Sequence, residues 1–140
     1  MDIDAIETSF SVKFPPKHRK ALSDPLDPIH TVCDFLVGEP PYELLRLTDV
    51  NASLRAPENP DPWPAYLVAF ASNGCGDYFA YDTRRSPYLI VYIDPDNTVA
   101  ENLAMDDGYT FESFDEWHAA KCCQHEAIKN DECPGLRDGE

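Results

Sequence analysis

Positive charge is the scarcest feature of this sequence. Its 140 residues include 11 lysines and arginines against 26 aspartates and glutamates, which gives a formal net charge of −15 at pH 7. Between Arg55 and Lys121 the only cations are Arg84 and Arg85. Such a surface repels phosphate backbones, so no binding of nucleic acid is expected. The same charge attracts a basic protein partner, although acidic charge also serves solubility alone.

Long apolar segments are missing as well. No apolar run approaches the roughly 20 residues that a membrane span needs, and residues 1–4 lack the basic and apolar regions of a signal peptide. We therefore expect no membrane association and a cytoplasmic location. The five cysteines are an odd number, and in that compartment they are expected to be reduced thiols.

Neither an internal repeat nor a domain-dividing linker is present. The length and the 43% hydrophobic composition are typical of one folded domain. We expect a single α+β domain over residues 1–140, with its core at about 3–123 and a C-terminal extension or tail at 124–140.

Glycine is also rare, with six residues, yet Gly74 and Gly76 fall in the stretch that organises the chain, residues 66–82. The apolar run 66–71 predicts a strand buried on both faces. Gly76 then permits a reversal, either through a positive φ or because its surroundings admit no Cβ. Residues 78–81 and 89–93 predict two further strands, so three adjacent antiparallel strands are expected.

The segments before these strands predict short helices and breaks. Ile3, Ile6 and Phe10 fall at helical spacing, and Pro16 suits the first turn of a second helix. Residues 29–37 fit a helix or a strand. Residues 43–47 predict a short strand, and Thr48 a cap for a helical turn through Leu54. The four prolines within 57–64 exclude regular structure there.

The segments after the strands predict two more helices. A short one is expected around residues 99–103, within an acidic connection. The last begins at Ser113, which forms a capping box with Glu116, and ends near Ile128. Phe114 and Trp117 lie on one face of that helix and are predicted to be buried.

Candidate chemical sites are weak. Cys122, Cys123, His125 and Cys133 lack the paired spacing of structural zinc, because adjacent cysteines on a helix point about 100° apart. Residues 94–101 lack the glycine and the ligand spacing of a calcium loop. No base or orienting residue can be assigned to Cys75 as a nucleophile. We therefore expect no catalytic residue, no cofactor and no metal.

Several segments together resemble a known family, the SUKH superfamily, which contains the fungal Smi/Knr cell-wall regulator and many bacterial immunity proteins. The central stretch 67–82 is similar to the family motif Phe-Ala-x-x-Gly-x-Gly-Asp-x-x-x-x-Asp. The flanking similarities are Ile6-Glu7 with Phe10, Phe14-Pro15-x-x-His18-Arg19-x-x-Leu22 (Leu-Pro-x-x-Tyr-Arg-x-x-Leu in the family), the strand 90–94, and Ser113-Phe114-x-x-Trp117.

The resemblance implies an α+β domain with a curved, mainly antiparallel sheet and helices packed against it. It also implies a non-enzymatic protein, often one that neutralises a toxin encoded beside it. Gly76, Asp77 and Trp117 match signature positions and are interpreted as fold determinants. The partner-binding residues of the family vary, so none is transferred by motif.

Three hypotheses of function stay open from the sequence. The first is an immunity protein that binds a cationic toxin, such as a nuclease, through its acidic face. The alternative is a regulatory or scaffold module of the same fold with a different protein client. The third is an unrecognised enzyme, for which Cys75 is the only candidate residue in the sequence. For the first, five carboxylates in connections that we expect to face solvent are predicted to contact the partner: Asp94, Asp96, Glu101, Asp106 and Asp107.

Overall fold

A five-stranded antiparallel sheet, with strands in chain order β1-β2-β3-β4-β5, organises the residues that this computed structural model describes, 3–37, 46–73, 76–105 and 109–130. The strands are β1 (Asp34–Phe35), β2 (Leu67–Ser72), β3 (Tyr78–Asp82), β4 (Leu89–Ile93) and β5 (Tyr109–Phe111). The helices are α1 (Ile3–Phe10), α2 (Pro16–Ser23), α3 (Ile29–Val32), α4 (Leu47–Arg55), α5 (Val99–Ala104) and α6 (Phe114–Asn130). The α+β prediction is confirmed.

The three central strands match their predicted positions and pairing. All six residues of β2 are buried, as the continuous apolar run predicts. Leu67 lies opposite Asp82 and Ser72 opposite Tyr78, while Tyr78 and Asp82 of β3 also pair with Ile93 and Leu89 of β4. The register between β2 and β3 shifts between Ala69 and Ala71.

The reversal between β2 and β3 requires glycine for its backbone conformation. Gly76 has a φ of +92°, which confirms the first of the two predicted reasons. A Cβ there would lie 3.7 Å from Pro95 Cγ, an ordinary contact, so crowding is not the reason. The side chain of Asn73 donates to Asp77 Oδ2 at 3.1 Å, and the hydroxyl of Tyr92 also donates to that oxygen. Cys75 lies outside the described residues.

Two ambiguous or incorrect segments lie before β2. Residues 29–37 divide into helix α3 followed by strand β1, so both readings hold for part of the stretch. The predicted strand 43–47 is wrong at Leu47, where α4 begins. Arg46 forms an isolated bridge to Val37. Thr48 therefore lies inside the helix and does not cap it. Residues 43–45 lie outside the described residues, and 57–64 form a loop, as predicted.

Helix caps differ in part from the prediction. The backbone N–H of Glu116 donates to Ser113 Oγ at 3.1 Å, but the Glu116 carboxylate accepts from the N–H of Glu112 at 3.2 Å, one residue before the cap. The complete capping box lies at α5, where Thr98 and Glu101 bond reciprocally. The short helix itself was predicted, and its cap was not.

The outer edge of β2 is completed by β1 at one end and by side chains of α4 at the other. Strand β1 pairs only with Ala71 and Ser72, and the N–H of Leu36 donates to the carbonyl of Phe70 at 3.0 Å. The buried side chain of Asn51 then accepts from the N–H of Ala69 at 2.8 Å and donates to its carbonyl at 2.9 Å. Arg55 donates to the carbonyl of Leu67 at 3.0 Å.

An aromatic cluster joins the sheet to α6. Trp117 is fully buried, as predicted, and its ring lies 4.8–6.2 Å from the rings of Phe35, Phe70, Phe79 and Phe114. Packed rings at these distances contribute beyond the area that they bury. The cluster therefore holds α6 against β1, β2 and β3.

His18 occupies the same cluster and is fully buried. Its ring stacks on Phe114 with centroids 4.6 Å apart, and its Nδ1 lies 2.6 Å from the hydroxyl of Tyr81. Burial lowers the pKa of His18 from 6.5 to about 3, so the imidazole is neutral in the folded protein. Burial also raises the pKa of Tyr81 well above its usual value, which keeps the phenol protonated.

Among the described residues, no helix is both long and apolar enough to cross a bilayer.

Replacing Trp117 by alanine should lower the free energy of unfolding by about 3–5 kcal/mol, because it leaves a large cavity among the rings. Urea denaturation measures the change. Trp117→Phe is the matched control and should cost less, since the indole nitrogen has no hydrogen-bond partner among the described residues. A loss below about 1 kcal/mol for the alanine variant would contradict the core position of this ring.

Replacing His18 by phenylalanine should remove part of the pH dependence of stability. Below pH 6.5 the imidazole gains a proton in the unfolded chain and stays neutral in the folded one, so stability falls as the pH drops toward 3. Between pH 7 and pH 5 the native protein should lose about 2 kcal/mol that the variant retains. Urea denaturation at the two pH values tests this, and an equal loss in both proteins would contradict it.

Candidate protein-interaction site

A groove of about 390 Å³ lies between the loop that follows α4, the start of β3 and the connection from β4 into α5. We call it the acidic groove. Its described lining contains three carboxylates and no lysine, arginine or histidine, and consists of Leu54, Asn59, Asp61, Trp63, Gly76, Tyr78, Ile93, Pro95, Asp96, Asn97, Thr98, Val99 and Glu101.

The apolar part of the groove rests on the core. Trp63 is 7% exposed, and its ring meets that of Tyr78 edge to face with centroids 5.9 Å apart. The N–H of Trp63 donates to the carbonyl of Leu54 at 2.8 Å, which fixes the loop to the end of α4. Burial, together with the negative charge of Asp34, raises the pKa of Tyr78, so its phenol is neutral.

Asp61 joins the two walls of the groove. Its Oδ2 accepts from the N–H of Val99, the first residue of α5, at 2.6 Å. A carboxylate at a helix start is favourable because it satisfies a free N–H group and meets the positive end of the helix dipole. The proline-rich loop and α5 are therefore held together by a charge-assisted hydrogen bond.

Glu101 lies on the opposite rim and belongs to the capping box of α5. Its Oε1 accepts from the N–H of Thr98 at 2.8 Å, and its own N–H donates to Thr98 Oγ1 at 3.1 Å. Hydrogen bonds from the backbone and the side chain of Thr98 lower the pKa of Glu101. The carboxylate is therefore charged at neutral pH, and it is exposed to solvent.

Asn102 fixes the connection that carries the rim. Its buried side chain accepts from the N–H of Asp94 at 3.0 Å and donates to the carbonyls of Asp94 and Thr98 at 3.0 and 2.9 Å. Asp94 in turn accepts through Oδ1 from the N–H of Asp96 at 2.9 Å. The turn is therefore built before any partner arrives, and the exposed Asp96 side chain extends from it.

The structure brings some of the five predicted carboxylates together. Asp96 and Glu101 line the acidic groove, and Asp94 lies two residues before Asp96 in the same turn. Asp94 and Glu101 also have structural roles, since Asp94 accepts from the N–H of Asp96 and Glu101 belongs to the capping box of α5. Asp106 and Asp107 lie outside the described residues.

Sequence reasoning missed Asp61 and Trp63 as parts of this site. The signal that could have found them is a single tryptophan, two residues after an aspartate, in a proline-rich loop. A large aromatic residue in such a loop needs a surface to pack on. That surface is Tyr78, which comes close only after the sheet has formed.

Of the four residues weighed as a zinc site, the structure describes the side chains of Cys122 and Cys123. Cys123 is disulfide-bonded, whereas Cys33 and Cys122 are thiols outside any disulfide, so the expectation of reduced thiols is wrong for Cys123. The side chain of His125 and all of Cys133 lie outside the described residues. Cys122 instead lies beside His118, with Sγ 3.8 Å from Nδ1.

The acidic groove is suited to a cation with an apolar stem. A lysine or arginine side chain could bury its methylene groups against Trp63 and Tyr78 and direct its charge to the three carboxylates. A phosphate or an acidic segment would be repelled there.

A protein-family model matches the chain. The family model described as SMI1 / KNR4 family (SUKH-1) matches residues 1–120, which include the whole described sheet and the acidic groove. No curated protein and no solved structure matches the chain.

Proposed function

The chain belongs to the SMI1 / KNR4 family (SUKH-1), and from this membership we propose that it is an immunity protein, which binds and neutralises a basic toxin domain in the cytoplasm without catalysing a reaction. The family supports a protein-interaction domain in general. The toxin as partner is our proposal, and it is drawn from the charge of this chain.

The acidic groove is the observation that carries the proposal. It combines an aromatic floor with the carboxylates of Asp61, Asp96 and Glu101, and no described cation lines it. Interfaces typically pair a desolvated anchor with a complementary pocket. We infer that a lysine or arginine of the toxin enters this groove.

The surrounding negative charge would accelerate the encounter. A net charge of −15 attracts a basic domain over a distance of about one Debye length, roughly 8 Å at physiological ionic strength. We propose that Asp94, Asp96, Glu101, Asp106 and Asp107 contribute to this attraction. Asp96 is expected to contribute most among the described members, since its side chain is exposed and extends from a fixed turn.

Co-expression tests the proposed function. The chain is produced together with a basic toxin domain encoded by a neighbouring reading frame, and growth is compared with and without it. Survival that depends on the chain, together with a purified one-to-one complex, supports the proposal. Growth inhibition that the chain does not relieve would favour the alternative, a regulatory or scaffold module with another protein client.

Replacing Asp96 by lysine should slow association with that toxin on the order of tenfold at low ionic strength, because it reverses a charge at the groove. The difference should shrink as salt rises to 0.15 M. Stopped-flow fluorescence across a salt series measures the rates. Asp96 donates to Asp94 through its backbone, so the substitution leaves the turn intact.

Glu112→Lys is the matched control. It makes the same change of charge at an exposed residue that does not line the groove. It should slow association less than Asp96→Lys. Equal slowing by the two variants would assign the effect to net charge alone, and unchanged rates for both would place the interface elsewhere.

A further inference from the structure

Three potential metal ligands meet where α3 packs against α6. His118 and Cys122 are four residues apart on α6, so their side chains lie on one face, one turn apart. Asp27 comes from the turn before α3, and its Oδ1 lies 2.8 Å from His118 Nε2. One ligand atom from each residue lies within 4.8 Å of the other two. We call these residues the Asp-His-Cys cluster.

The cluster is largely shielded from water and held in place without a metal. The side chains of His118 and Asp27 are 10% and 12% exposed, and Cys122 is partly buried. The N–H of Ile29 donates to Asp27 Oδ1 at 3.0 Å. Burial raises the pKa of Asp27, but the bonds from Ile29 and His118 outweigh it and lower the pKa overall. The carboxylate is therefore ionised and already oriented.

The geometry does not favour a nucleophilic relay through the histidine. Sγ of Cys122 lies 3.8 Å from Nδ1 and 4.0 Å from Nε2 of His118, so it is nearly equidistant from both nitrogens. A thiol that transfers its proton to Nδ1 would lie along the lone pair of that nitrogen, much farther from Nε2. The thiol is therefore not aligned for proton transfer to either ring nitrogen.

The distances suit a tetrahedral ion after a small adjustment. With zinc–nitrogen and zinc–oxygen bonds of about 2.1 Å and a zinc–sulfur bond of about 2.3 Å, the ligand atoms lie about 3.4–3.6 Å apart. The nitrogen–oxygen distance of 2.8 Å must open, and the nitrogen–sulfur distance of 4.0 Å must close, each by about half an ångström. Rotation of side chains supplies movements of this size.

We propose that Asp27, His118 and Cys122 bind one divalent transition-metal ion, with Zn²⁺ the best fit to their oxygen, nitrogen and sulfur atoms. Binding takes the thiol as thiolate and Nε2 of His118 without its proton, so it releases protons to solvent. The fourth position is open to water. The ion would link the start of α3 to α6, two segments that are 91 residues apart in sequence.

The sequence predicted no metal, and the ligands considered there were Cys122, Cys123, His125 and Cys133. The Asp-His-Cys cluster shares only Cys122 with that set. A pattern search considers spacing along α6, where Cys122 and Cys123 point apart. Asp27 precedes α3 and joins the cluster only through the fold. The ligand set was therefore hidden from the sequence.

Cobalt titration tests the site in the full-length protein. Metal-free protein is titrated with Co²⁺ under argon and without a thiol reductant, so that Cys122 stays reduced and the disulfide of Cys123 stays intact. We expect one equivalent to bind, with thiolate-to-cobalt charge-transfer absorption, and added Zn²⁺ to displace it. Zn²⁺ should also raise the melting temperature, since it binds the folded state.

Three variants assign the ligands, each checked for native far-ultraviolet circular dichroism. Cys122→Ser should abolish the charge-transfer band. Asp27→Asn, which keeps the shape of the side chain, should weaken cobalt binding by more than about tenfold. Cys33→Ser is the control, since Cys33 is a free, partly buried thiol outside the cluster, and it should bind as the native protein does.

The result that overturns the proposal is a natively folded protein that binds no cobalt, or one whose band persists in Cys122→Ser. Loss of the band in Cys33→Ser would also overturn it, because the ligand set would then be different. If Cys122→Ser does not fold, Asp27→Asn decides the question, and unchanged affinity in that variant contradicts the site.

Discussion

A strand buried on both faces and along both edges must have every backbone N–H and carbonyl paired, because no water reaches it. Strand β2 is in that position, and β1 pairs with only two of its residues. Asn51 and Arg55 of α4 complete the edge through Ala69 and Leu67. A buried amide left without partners costs about 1–3 kcal/mol, so these bonds favour the observed position of α4 against the sheet.

That constraint also determines where the acidic groove forms. Once Asn51 and Arg55 fix α4, the loop that leaves its end is held by the bond from the backbone N–H of Trp63 to the carbonyl of Leu54 and by the edge-to-face contact of Trp63 with Tyr78. Two arginines bond to other parts of the fold instead of to the groove. Arg55 donates to backbone carbonyls, and Arg84 pairs with the buried carboxylate of Asp82. These cations act in local structure, so the acidic side chains determine the charge of the groove.

The sequence predicted features that depend on local pattern. The central strands, the positive φ of Gly76 and the burial of Trp117 all follow from apolar runs, glycine and helical spacing. It failed where tertiary contacts decide. Helix α4 begins at Leu47, the last residue of a predicted strand, and the carboxylate of Glu116 bonds one residue before its expected partner. Asp61 and Trp63 could not be assigned to a site, because Val99 and Tyr78 approach them only in the folded chain.

The carboxylates of the groove are at once structural and available, and this combination favours binding. Asp61 and Glu101 each accept from a backbone N–H at α5, so their positions are fixed before a partner arrives. Ordering a flexible side chain on binding costs about 0.5–1.5 kcal/mol, and part of that cost is already met here. A carboxylate has more acceptor positions than one N–H group fills. The bonds at the start of α5 therefore orient the two carboxylates and leave acceptor positions available for a partner.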